Sequence, residues 1–243
     1  MNKEKLENDS QLEKLIAENE LKTKWLSLIA HDFKGMFHNI TFMLDALESK
    51  LISEEQFQSM LPELKQISEK NLKTLENTFA WVNLQADGFN PQEEEVSIYK
   101  LFLQLQKELD SKVESKNLAL IFSGDENIVM RSDKLLLTFI LKQTLENAIK
   151  YSNKFDEVMF ITSLQHNTIH IEIKDFGIGM NTNVLNNIFT LNDSPYKGTA
   201  DEVGAGLSLM IVKDFVEKLG GTIEMSSKLN EGTTVKLMFG TKL

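Results

Sequence analysis

The sequence predicts an α+β protein: a helical hairpin that dimerises into a four-helix bundle, followed by an α/β sandwich with helices on one face of a mixed sheet. Three observations carry this expectation. Apolar residues repeat with 4-3 spacing from Leu12 to Leu51. A second apolar stripe at helical spacing follows after a break. Beyond Pro91, short runs of β-branched and aromatic residues are interspersed with helical segments, without a strict strand–helix–strand rhythm.

The heptad seam passes through Leu12, Ile16, Asn19, Thr23, Leu26, Ala30, Phe33, Phe37, Ile40, Leu44, Leu47 and Leu51. Asn19 and Thr23 interrupt it with polar groups that cost stability and fix register. The seam breaks at "ISEEQ", where Ser53 followed by two glutamates reads as a new helix start. The second stripe is Leu61, Leu64, Ile67, Leu72, Leu75, Phe79 and Val82, with Pro62 in an early turn or at a kink. Two helices alone bury too little apolar surface to be stable, and a homodimer answers that shortage. "ADGFNPQEEE" reads by composition as a linker.

In the second half, residues 98–115 read as a helix, and "NLALIFSG" and "NIVMRS" as short strands. "DKLLLTFILKQTLENAIKYS" has the length and spacing of a helix. "EVMFITSLQ" and "TIHIEIKDF" read as strands joined by a turn at His166-Asn167. A polar stretch rich in turn formers leads to the helix "LSLMIVKDFVEKLGG". "TIEMSS" and "TTVKLMF" close as a hairpin through "LNEG".

At 243 residues, with 42% hydrophobic and 26% charged, the chain fits one large globular domain or two small ones. The net charge of -10 argues against non-specific nucleic-acid binding. It leaves a phosphate ligand open, because backbone amides hold phosphate without net positive charge. No cysteine is present, which excludes disulfides, thiolate metal sites and a thiol nucleophile. No apolar run of transmembrane length occurs, and the start "MNKEKLENDSQLEK" is strongly polar.

Several residues point to chemistry. In "IAHDFKGMFHNI", Ala30 and Phe33 occupy the seam, so His31 sits just off it and faces outward, directly before Asp32. Taken alone, such a pair reads more often as a solvated helix face than as a reacting group. His38 lies one heptad on, but Asn39 rather than an acid follows it. In "LENAIKYS", Asn147, Lys150 and Tyr151 share one side of a helix; an amide oxygen can complete a Mg²⁺ shell, and a lysine can meet phosphate. In "DFGIGM", Asp175 ends a strand and can accept from an exocyclic amine, while Gly177 and Gly179 allow backbone to approach a ligand. In "GAGLSLMIV", Gly204 and Gly206 precede a helix whose N–H groups suit an anion. The pattern is neither a P-loop nor a dinucleotide fingerprint.

"LENAIKYS", "DFGIGM", "NIFTLND", "GAGLSLMIVKDFVEKLGG" and "EGTTVKLMF" resemble, in order and spacing, the N, G1, F and G2 boxes and closing strands of the GHKL-type ATP-binding domain of sensor histidine kinases. "LIAHDFKGMFHNI" resembles their H box, and "NDSPYKGTADEVGAGL" a lid with a "KGT" element. The resemblance divides the chain into an N-terminal signalling or coiled-coil helix (1–19), a dimerisation and histidine-phosphotransfer domain (20–90) and a catalytic ATP-binding domain (91–243). It implies a two-component protein-histidine kinase that uses ATP and Mg²⁺, works as a homodimer, and passes phosphate from His31 to an aspartate of a response regulator receiver domain. It also implies a cytoplasmic location, alone or as part of a longer sensor.

The resemblance further implies a role for each motif residue. His31 is the phosphoacceptor and Asp32 orients it. Asp175 reads the adenine amine, and Asn147 holds Mg²⁺. Lys150 and Tyr151 flank the nucleotide, and Phe189 anchors the lid. Gly204, Gly206 and Leu207 frame the phosphates. Lys197 contacts phosphate or stands as a solvated loop lysine. The chain departs from the family pattern at Gly35, Met36, Gln143, Val203, Ala205 and Ser208. Gly35 lacks the hydroxyl or amide that positions water for regulator dephosphorylation, so weak phosphatase activity is expected. Two other readings follow from the same residues. One is a degenerate, nucleotide-binding dimeric scaffold with little turnover. The other is a GHKL ATPase of the chaperone or mismatch-repair type, which needs a glutamate where Gln143 stands.

Overall fold

The computed structural model describes residues 23, 30, 34–35, 37–85, 91–189, 199 and 208–241. The chain divides into two compact units, the first ending at Ala80 and the second beginning at Trp81.

The first unit contains helix α1, residues 37–48, and most of helix α2, Glu54–Gln85. α1 stops where Lys50 takes a left-handed φ of 58° and the Leu51 N–H donates back to the Ala46 carbonyl at 2.8 Å. α2 starts with a reciprocal capping box. The Gln56 N–H donates to Ser53 Oγ at 3.2 Å, and the Ser53 N–H donates to Gln56 Oε1 at 2.9 Å. Glu54 and Glu55 in its first turn favour the positive end of the helix dipole. Pro62 lies inside α2, where it withholds one N–H from the ladder. Phe37, Leu44, Leu51, Leu72 and Phe79, all positions of the two apolar stripes, remain exposed in the single chain. A Cβ added at Gly35 meets nothing within 4 Å, so this glycine does not relieve crowding.

The second unit is a layered α/β structure. Its elements are β1 (Glu93–Ser97), α3 (Ile98–Ser115), β2 (Ala119–Gly124), β3 (Val129–Asp133), α4 (Lys134–Tyr151), β4 (Glu157–Gln165), β5 (Thr168–Asp175), α5 (Thr182–Asn186), α6 (Ser208–Lys218), β6 (Thr222–Lys228) and β7 (Gly232–Gly240). Five strands form a mixed sheet in the order β2-β4-β5-β7-β6, with β2 parallel to β4 and the other pairs antiparallel. Register places Phe160, Ile173 and Val235 in one cross-strand row and Thr162, Ile171 and Leu237 in the next. These side chains face the helices and are buried. Phe102 of α3 meets Phe160 at 5.1 Å between ring centroids, and Phe139 of α4 meets Phe215 of α6 at 4.8 Å. The opposite sheet face is partly exposed and polar, with Lys236 paired to Glu172 at 3.3 Å. Helices on one face of a mixed sheet are what the sequence leads one to expect.

Local signals explain the boundaries. His166 and Asn167 both adopt left-handed φ, of 47° and 61°, which makes the two-residue turn between β4 and β5. Asp133 caps α4 by accepting from the Leu136 N–H at 3.0 Å, and its second oxygen accepts from the Gln92 N–H at 2.9 Å. That bond explains one departure from the sequence reading. The glutamates read as linker are strand β1, paired antiparallel with β3. Val96 opposite Met130, both buried, fixes the strand, while Glu93 to Glu95 lie exposed beside it and stay hydrated. Two shorter differences are the short helix α5 within the polar stretch and the start of β3 at Val129 rather than Asn127. Among the described residues, no helix is long and apolar enough to cross a membrane.

Phe160 is fully buried at the centre of this sheet. Phe160→Ala should destabilise the second unit by about 3–5 kcal/mol through lost burial and the cavity left behind. The check is the urea midpoint of the unit's transition, followed by near-UV circular dichroism.

Candidate functional site

Of the residues singled out in the second unit, the described ones Asp175, Gly177, Lys150 and Tyr151 come together at one end of the sheet. Asp175 ends β5, and its side chain is buried. Its Oδ1 accepts from the Gly177 N–H at 3.0 Å and from the Thr233 N–H at 3.1 Å. The two bonds fix the carboxylate plane and leave Oδ2 as the oxygen with an accepting edge to offer a ligand. Burial is the largest influence on this group and pushes its pKa up to about 6, against the lowering effect of the two N–H donors.

Asn147, Lys150 and Tyr151 occupy the last two turns of α4, at i, i+3 and i+4, so they share a face, and all three are partly exposed. Lys150 Nζ stands 4.8 Å from the centre of the Tyr151 ring. The loop after Asp175 is pinned to this end of α4, where the Ile178 N–H donates to the Tyr151 carbonyl at 3.1 Å. The two glycines of "DFGIGM" prove to be needed against protein backbone. A Cβ on Gly177 would stand 1.9 Å from the Tyr151 carbonyl oxygen. One on Gly179, where φ is +57°, would stand 2.0 Å from that of Lys228. They let the loop lie between α4 and the β6–β7 turn, a role the sequence reading did not assign them.

Sequence reasoning missed the residues that brace this loop from β6 and β7. Ser227 Oγ accepts from the Met180 N–H at 2.8 Å and donates to the Gly232 carbonyl at 2.9 Å. The Asn230 N–H donates to the Ile178 carbonyl at 2.8 Å. Thr233 supplies the second donor to Asp175 through its backbone, which no side-chain pattern reports. "EGTTVKLMF" had marked that segment only as a strand. Phe189 follows α5, and Lys213 of α6 lies over its ring at 5.5 Å. Gln143 is buried within α4.

His31, Asp32, Lys197, Gly204, Gly206 and Leu207 lie outside the described residues. His38 is exposed on α1. Among the described residues there is no group of three or more His, Cys, Asp or Glu able to hold a metal. A Mg²⁺ site does not require one, because this ion takes one or two protein oxygens and completes its shell with water and substrate phosphate. A half-exposed carboxamide such as Asn147 fits that demand.

Comparison with known proteins bears on the family and the fold. Residues 132–242 match the family described as histidine kinase-, DNA gyrase B-, and HSP90-like ATPase. Sensor histidine kinase YvrG of Bacillus subtilis is 28% identical over 224 residues, which are 90% of this chain and 38% of YvrG. The chain thus spans well under half the length of that curated relative. Among solved structures, histidine kinase ThkA in complex with response regulator protein TrrA matches with a TM-score of 0.69 at 15% identity, covering 95% of this chain and 64% of that one. ShkA in complex with AMPPNP matches with a TM-score of 0.62 at 20% identity, covering 79% and 40%. At these identities the two structures speak for the fold.

The elevated pKa of Asp175 makes its ionised form a cost to the fold. Well above pH 6 the carboxyl is ionised whether the chain is folded or unfolded, and the full penalty applies, about 3 kcal/mol at most. As pH falls from 6 towards 4 the folded form takes up the proton first, and the penalty disappears. Asp175→Asn keeps an acceptor for Gly177 and Thr233 without the charge. It should raise stability at pH 7.5 by up to about 3 kcal/mol, with the gain shrinking as pH approaches 4. Urea midpoints of both proteins across that range check the sign.

Proposed function

We propose that this chain, whose residues 132–242 match the histidine kinase-, DNA gyrase B-, and HSP90-like ATPase family and which is similar to sensor histidine kinases, is an ATP-dependent protein-histidine kinase. In this reading it phosphorylates its own His31 and passes the phosphoryl group to an aspartate of a response regulator's receiver domain. The observation that supports it best is the held carboxylate of Asp175. One oxygen is fixed by two backbone N–H groups, and the other is left to accept from the exocyclic amine of adenine.

The residues then take the following parts. Lys150 and Tyr151 flank the nucleotide on the face that α4 presents. Asn147 lends its carboxamide oxygen to Mg²⁺, which neutralises phosphate charge when bound. Gly204, Gly206 and Leu207, at the start of the segment leading into α6, meet the phosphates, with Lys197 as a further contact. The neutral imidazole of His31 attacks the γ-phosphorus, a P–N bond forms, and the P–O bond to ADP breaks. Asp32 accepts from the other ring N–H, fixing the tautomer and stabilising the positive charge that develops on the ring. Gln143 favours transfer over hydrolysis, since a buried carboxamide takes no proton from water.

The first unit acts in this reading as half of a homodimeric four-helix bundle. Its exposed stripe residues Phe37, Leu44, Leu51, Leu72 and Phe79 support that assignment, because a second copy would remove their apolar surface from water.

Incubation with γ-labelled Mg-ATP should place an acid-labile label on His31. His31→Gln should abolish the label while ATP still binds, and His38→Gln should leave it intact. Asp175→Ala should weaken ATP binding at least about tenfold, since it removes a hydrogen bond in a buried site. Label that persists in His31→Gln rejects the acceptor, and ATP bound by the unmodified chain without label would leave a nucleotide-binding scaffold.

Leu44→Asp places a carboxylate in the proposed dimer seam, at a cost of about several kcal/mol if it remains ionised there. Sedimentation should show the unmodified chain as a dimer at micromolar concentration and the variant shifted towards monomer. A monomeric unmodified chain overturns the bundle.

A further inference from the structure

Lys116, which no motif singled out, meets Thr199, the threonine of the "KGT" element, at the end of α4. Lys116 closes α3 as its C-cap, yet its side chain is buried. Its ammonium donates to the carbonyls of Ile149 at 3.1 Å, Lys150 at 2.7 Å and Ser152 at 3.5 Å, and to Thr199 Oγ1 at 2.7 Å. A buried ammonium survives only where oxygens replace its hydration shell. Here they do, and two of them belong to the C-terminal turn of α4, where carbonyls lack intrahelical partners and the helix dipole is negative. Thr199 is tied to the same turn. Its N–H donates to the Lys150 carbonyl at 3.2 Å, and its hydroxyl donates to the Ser152 carbonyl at 2.5 Å. The same hydroxyl oxygen accepts from Lys116, so the two residues share their anchoring carbonyls. The next residue along α4, Tyr151, holds the Gly177–Ile178 loop through its own carbonyl.

We propose that Lys116 and Thr199 form a latch that fixes the chain at residue 199 to the last turn of α4. Through the Lys150 backbone the latch keeps Lys150 and Tyr151 in register with the Asp175 loop. Both act as positioning residues, since their polar groups are engaged by protein oxygens, and the inference rests on the nucleotide-site reading above. It makes the α3–β2 junction, where Lys116 sits, part of what sets ATP affinity.

The test uses the whole chain. Thr199→Val keeps the shape of an exposed residue and removes only the hydroxyl, so it preserves the fold even if Lys116→Met does not. Hydrogen exchange without nucleotide should show the Thr199 amide exchanging about tenfold faster in either variant, while the β5 amides of Ile171 and Ile173 keep their rates. Thr199→Ser should retain the native rate. Mg-ATP affinity by calorimetry should fall about tenfold in each single variant and no further in the double, because the two side chains act as one unit. Unchanged exchange at Thr199 in Thr199→Val overturns the latch. Faster exchange with undiminished ATP affinity overturns its positioning role. Faster exchange in a chain whose unmodified form binds no ATP supports the anchoring of residue 199 and rejects the nucleotide-site reading instead.

Discussion

The Gly177 backbone lies against the end of α4 with no room for a side chain, and the candidate site is built outward from that contact. A methyl group there would stand 1.9 Å from the Tyr151 carbonyl oxygen, well inside contact distance. Its absence lets the Ile178 N–H reach that same oxygen, which docks the loop after β5 onto the helix that carries Asn147, Lys150 and Tyr151. Asp175 is oriented as part of the same arrangement, because the Gly177 N–H is one of its two donors. Helix, loop and carboxylate therefore hold one another in place, and the β6–β7 turn closes the set from the other side through Asn230, Ser227 and Thr233.

This arrangement stores free energy at the carboxylate proposed to read the ligand. A carboxylate pushed up to about 6 by burial is retained at neutral pH at the expense of the fold. Packing elsewhere offsets it: the Phe102–Phe160 and Phe139–Phe215 contacts fill the layer between helices and sheet. In the proposed nucleotide reading, recognition would draw on the same desolvation, since a hydrogen bond to a dry carboxylate discriminates more sharply than one to a hydrated carboxylate.

Much of this was legible in residue order, and the rest was not, for physical reasons that differ from place to place. The β4–β5 turn was visible because His166-Asn167 separates two runs of alternating apolar residues. The start of α2 was visible at Ser53, since capping is a local event. Asp175 and its glycines could be found as a motif, but the reason for the glycines could not, because the atoms they make room for belong to residues remote in sequence. β1 was hidden behind its composition: three glutamates read as a linker, whereas one buried Val96 opposite Met130 decides the strand. Thr233 donates through its backbone, and a backbone donor leaves no trace in a side-chain pattern. Lys116 reads as a surface lysine until α4 is placed beside it.

The sheet closes over very unequal spans of chain. β4 with β5 and β6 with β7 are joined by short turns, so these hairpins form early at small entropic cost. The pairing of β5 with β7 must wait, because α5, α6 and the polar stretch between them are gathered into the loop it closes. The entropy of closing such a loop grows only with the logarithm of its length, roughly 0.6 kcal/mol for each doubling. The stretch between Phe189 and Ser208 is thus a place where natural variation can add or remove residues with little effect on whether the sheet assembles. The enclosing scaffold keeps its register while the length of this segment changes, provided Thr199 keeps its bonds to the end of α4.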